Sequence, residues 1–140
     1  MRRFVILLSA LLAFASAGAG TPQTDRADIL GVWRGMEGAL PAVTLTITDE
    51  GGTLAGAILF YLIRREAGKD PTSSPGVPEP LLNPKIDGNT LNFEVSHRRA
   101  HPPRTLSDPP VSFHLKLSGP NRGELTRGED SKKLDMVRDN

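Results

Sequence analysis

The sequence predicts an all-β domain, an antiparallel up-and-down barrel of about eight strands, following a cleaved signal peptide. Three observations carry that prediction. Several segments alternate apolar and polar residues with a period of two, and tight glycine-containing turns separate them. All 12 prolines lie beyond the apolar start of the chain, where they disfavour long helices.

The chain opens with Arg2 and Arg3, an apolar run over 4–14, and the small-x-small patterns Ala15-Ser16-Ala17 and Ala17-Gly18-Ala19. These are the n-region, h-region and cleavage site of a secretory signal. The run is far shorter than the roughly 20 residues that span a bilayer. Residues 1–19 are therefore expected to be removed and the product exported, periplasmic or secreted, and not an integral membrane protein. The paired arginines would also suit a twin-arginine signal, but the short n-region and strongly apolar core favour the general secretory route. Without residues 1–19 the chain has 121 residues, enough for one domain, and its formal charge changes from +1 to −1. The apparent basicity belongs to the signal, so charge gives no reason to expect a nucleic-acid partner. There is no cysteine, hence no disulfide and no lipid attachment site.

Residues 20–28 are polar and are expected to form a flexible leader, with a single domain over 29–140. Strands are expected over 29–36, 42–49, 53–63, 82–87, 90–97, 111–118, 122–127 and 132–138. Val43, Leu45 and Ile47 alternate with Thr44, Thr46 and Thr48. Leu91, Phe93 and Val95 alternate with Asn92, Glu94 and Ser96, and Val111, Phe113, Leu115 and Leu117 with Ser112, His114 and Lys116. Each pattern gives a strand with one face in the core and one in water. The run over 54–63 is apolar throughout; its Gly56 and its place between strands make it a strand buried on both faces or under loops. Glu50-Gly51-Gly52, Asp87-Gly88-Asn89 and Ser118-Gly119-Pro120-Asn121 supply tight turns. In a meander those turns share one end, and the long connections 64–81 and 98–110 share the other, where binding sites tend to sit.

Gly31-Val32-Trp33 opens the first strand and Arg138 closes the last. With these residues the chain resembles the lipocalin-like, or calycin, β-barrels, whose G-x-W signature and terminal arginine stand in these places. The resemblance implies that Trp33 packs across the closed end of the barrel beneath the Arg138 side chain, with Gly31 as part of the signature. It also implies a barrel that carries a small ligand.

The most distinctive local sequence is Ser96-His97-Arg98-Arg99-Ala100-His101-Pro102-Pro103-Arg104. His97, Arg98, Arg99, His101 and Arg104 are expected at the barrel mouth, joined by Arg64 and Arg65, where arginines would grip the carboxylate or phosphate of an anionic ligand. Phe60, Leu62, Phe93, Val95, Phe113 and Leu115 would form an apolar wall. The plainer reading is a solvated loop whose arginines pair with Glu66, Asp70, Glu79 and Asp108. A partner is thus expected to be a small apolar or anionic molecule or, alternatively, an envelope protein engaging the arginine-rich and proline-rich loops. The stretch 71–80, with Pro75 and Pro78 in a P-x-x-P pair, would be a docking segment, a lid or a pinned connection.

Catalysis finds little footing. No G-x-S-x-G elbow or phosphate-binding glycine loop is present, and no cofactor is implied. His97 and His101 have i, i+4 spacing, but two arginines lie between them, prolines follow, and the parity of His114 points it outward, so no metal site is expected. Intact mass and N-terminal sequencing of exported protein should show a chain beginning at Gly18 or Gly20; retention of Met1 would overturn the signal assignment.

Overall fold

The computed structural model describes residues 25–96 and 109–140. A helical turn, α1 (Arg26–Ile29), precedes ten strands: β1 (Gly31–Glu37), β2 (Leu40–Glu50), β3 (Thr53–Arg64), β4 (Thr72–Pro75), β5 (Glu79–Pro80), β6 (Leu82–Asp87), β7 (Thr90–Val95), β8 (Val111–Gly119), β9 (Arg122–Arg127) and β10 (Lys133–Arg138). They form one antiparallel sheet in the order β4-β3-β2-β1-β10-β9-β8-β7-β6, with β5 also on β3. The first strand pairs with the last, Trp33 opposite Arg138 and Gly35 opposite Met136, so the meander curls round.

The sheet is a curled half-barrel, and β5 straps one side of it. No ladder joins β3 to β6 among the described residues; instead β5 pairs Ala57 with Pro80 and Ile58 with Glu79, and the Leu81 N–H donates to the Gly56 carbonyl. The chain then turns into β6, whose register breaks between Leu82 and Lys85. Pro80 and Pro84 have no N–H, and Asn83 has positive φ, so this edge is poorly suited to a longer ladder. On the other side of β3, Gly56 lets β2 lie close: a Cβ there would strike the Thr46 carbonyl.

The eight expected strands are present with shifted ends, and two corrections follow. β4 and β5 lie within what the sequence suggested was a long loop, because prolines lower strand expectation yet are tolerated on an edge. Ile29 belongs to α1 rather than to the first strand, and Arg26 to Asp28, expected in the loose leader, are fastened. Arg26 donates to the Gly52 carbonyl at 2.7 Å and pairs with Asp49 at 2.8 Å.

Core packing follows the register in layers. Trp33, Leu45 and Ile58 make one cross-strand row, and Leu91, Leu115 and Leu125 another, all in a single buried cluster. Below them α1 seals the base with the fully buried Ile29. The Trp33 Nε1–H donates to the Ile29 carbonyl at 2.8 Å. The Arg138 guanidinium lies 5.8 Å from the Trp33 ring centre. Its Nη1 donates to the carbonyls of Ala27, Asp28 and Leu30 at 3.0, 2.8 and 3.2 Å, and its Nε to Asn121 Oδ1 at 2.7 Å. Gly31, at φ 121°, takes a backbone conformation that other residues rarely adopt, and it lies against the arginine stem.

Arg138→Ala should cost about 2 kcal/mol in urea unfolding, the scale of hydrogen bonds to a charged group. Arg138→Lys should recover less than half, because an ammonium cannot reproduce the planar fork. Full recovery by lysine would mean that charge alone, not geometry, holds the base.

Candidate functional site

Two residues above the central rows, each strand contributes one more inward position. There Val43 pairs with Phe60, and Phe93, Phe113 and Arg127 pair in sequence across β7, β8 and β9. Phe113 lies between the other two rings, 5.5 Å from Phe60 and 5.7 Å from Phe93, centre to centre. Above this layer the described residues line two cavities. One cavity of about 310 Å³ is lined by Phe60, Val77, Val95, Val111 and Phe113, with Glu79, Ser96 and Arg127 as its polar side chains. A second, of about 640 Å³, lies against Met36, Val43, Phe60, Phe113, Leu134 and Arg127. Phe60, Phe113 and Arg127 line both, so the two form neighbouring lobes of one mouth.

Residues 71–80 build one side of that mouth. Thr72–Pro75 pairs with residues 61–64 of β3, the Gly76 N–H donates to the Phe60 carbonyl at 2.9 Å, and the Ser73 hydroxyl donates to the Pro41 carbonyl at 2.7 Å. The proline-rich stretch is thus fixed along the edge of β3. It carries Val77, 64% exposed, and the buried Glu79 to the smaller lobe.

The expected site residues divide into three groups. His97, Arg98, Arg99, His101 and Arg104 lie outside the described residues. Arg64 and Arg65 are exposed at the mouth end of β3 but line neither lobe, and Arg65 is paired with Glu37 at 2.5 Å. Of the expected wall, Phe60, Val95 and Phe113 line the mouth, while Phe93 sits just beneath, stacked on Phe113. Two wall assignments are corrected. Leu115 is fully buried in the core beneath the mouth, and Leu62 is 56% exposed because Phe60 is the last β3 residue paired with β2.

Sequence reasoning missed Arg127. Its signal was the alternation Gly123, Leu125, Arg127, in which the first two are buried. Inward parity therefore extends to Arg127 at the rim, beside its cross-strand partner Phe113. His114 Nδ1 hydrogen-bonds Asn92 Oδ1 at 2.5 Å, in a strand position whose neighbours Phe113 and Leu115 take the core side. Among the described residues no group of three or more His, Cys, Asp or Glu side chains is placed to hold a metal ion, and no helix is long and apolar enough to cross a membrane.

Comparison with known proteins found no matching family model, no matching curated protein and no matching solved structure.

Phe60→Ala should cost about 2 kcal/mol, below the 3–5 typical of a fully buried phenylalanine. Leu62→Ser should change stability by less than about 0.5 kcal/mol. Chemical denaturation of both variants checks the assignment, and an equal cost at the two positions would contradict it.

Proposed function

We propose that this chain is an exported, lipocalin-like barrel that binds a small, partly apolar molecule in its mouth without chemical transformation. The observation that carries the reading is the contrast along the barrel: a filled base and central layer beneath a two-lobed, phenylalanine-floored mouth. Both lobes have volumes typical of small-molecule sites, roughly 300–1,000 Å³. Apolar walls interrupted by a few polar side chains are the usual composition of such sites.

The lipocalin-like assignment draws support from the base. Gly31, Trp33 and Arg138 stand together there, with the guanidinium over the indole, in the arrangement that the resemblance implies. The pinned course of residues 71–80 favours a wall of the mouth over a free docking arm for an envelope protein. Export rests on the signal-like sequence over 1–19.

The uncharged fluorophore N-phenyl-1-naphthylamine tests the reading. One equivalent should bind with enhanced emission, and Val111→Trp, which fills the smaller lobe, should weaken binding at least about tenfold, the equivalent of 1.4 kcal/mol. Absence of binding, or indifference to the tryptophan, would sink the proposal.

A further inference from the structure

We propose that the mouth selects a flat aromatic carboxylate, its ring set against Phe60 beside Phe113 and its carboxylate held by Arg127. This rests on reading the mouth as a ligand site and narrows that reading to a chemical class.

The anion preference comes from where Arg127 stands. The Phe113–Arg127 register puts both side chains on the same face of the sheet, and Leu125, two residues earlier on β9, fixes that face as the inner one. Arg127 lines both lobes and, among the described residues, forms no ion pair. Arg127 is itself exposed, as are the neighbouring charges of the larger lobe. Lys133 is held by Glu124 at 2.9 Å and Arg65 by Glu37 at 2.5 Å, while Asp130, Lys132 and Asp135 are exposed on the rim. Glu79, on the far wall, has an interaction of its own. A guanidinium offers parallel N–H donors that match a carboxylate in two-pronged fashion.

The preference for a flat ring comes from the floor and the depth. Phe113 is fixed between Phe60 and Phe93, so the floor is a set of rigid aromatic surfaces with Arg127 in register beside it. Aromatic rings pair favourably in offset or tilted arrangements with such surfaces. Below the floor, Leu45, Ile58, Leu91 and Leu115 are fully buried in the core. An extended acyl chain therefore finds no shaft to descend, whereas a ring needs only the shallow cup.

Calorimetric titration with 2-naphthoate, the isosteric uncharged 2-naphthamide, and dodecanoate distinguishes the terms. The naphthoate should bind about tenfold more tightly than the amide, the scale of one partly exposed charged hydrogen-bonded pair. Dodecanoate should bind more weakly than naphthoate. Arg127→Gln should abolish the preference for acid over amide, and Arg127→Lys should retain part of it. Equal affinity of wild-type protein for acid and amide, dodecanoate binding as tightly as naphthoate, or an undiminished acid preference in Arg127→Gln would each overturn the proposal. If N-phenyl-1-naphthylamine still occupies the mouth in those cases, the ligand-site reading stands and the aromatic acid falls; if no ring compound binds, both fall.

Discussion

Arg138 is the point at which both ends of the fold are tied. Its backbone pairs the last strand with Trp33 on the first, and its side chain crosses the indole to reach three carbonyls around the N-terminal turn. The bonds to Ala27 and Asp28 lie at the exposed edge of the base and the one to Leu30 is part-buried, so they fasten α1 to the last strand. By holding α1 there, one guanidinium lets Ile29 and Trp33 be fully buried. It also fixes which end of the barrel is solid. A structure without disulfides depends on such a closure more than a cross-linked one does.

From that base the interior changes character with height. The lowest layers hold aliphatic side chains and one indole, nearly without exposure; the next holds three phenylalanines; above them Val95 and Val111 continue the β7–β8 ladder and line the smaller lobe. The exposed apolar side chains Met36 and Val77 line the mouth, and Leu62 stands near its rim on the extension of β3 past its pairing with β2. The same few register steps that bury Leu125 deliver Arg127 to the rim. Under the proposed ligand reading, the solid floor limits depth, and shape and charge constrain the same molecule from two directions.

Much of the fold was legible in the chain. Alternation marked β2, β7 and β8 because each has one face in the core and one in water, and the glycine turns at 51–52 and 88–89 set the ends of their hairpins. β4 and β5 were not legible. Thr72-Ser73-Ser74-Pro75 and Glu79-Pro80 carry no apolar alternation, and they pair because the β3 edge offers backbone partners there. Of the site, Phe60, Val95 and Phe113 could be read from parity. Leu62 could not, since its exposure depends on where the neighbouring strand stops pairing. The rim arginines were sought in long loops, where charge is conspicuous, and Arg64 and Arg65 proved peripheral to both lobes.

By itself the sequence determined the all-β, antiparallel class and which end carries the tight turns and which the long connections. Both follow from local preference or from counting strand directions, whereas the meeting of Trp33 with Arg138 was implied by a resemblance. Only the tertiary structure decided that β5 straps one side of the curled sheet, that residues 71–80 form a wall, and that Arg127 shares a face with the phenylalanine floor. These depend on register between segments distant in the chain, and register is set by how the layers pack rather than by any one strand's composition.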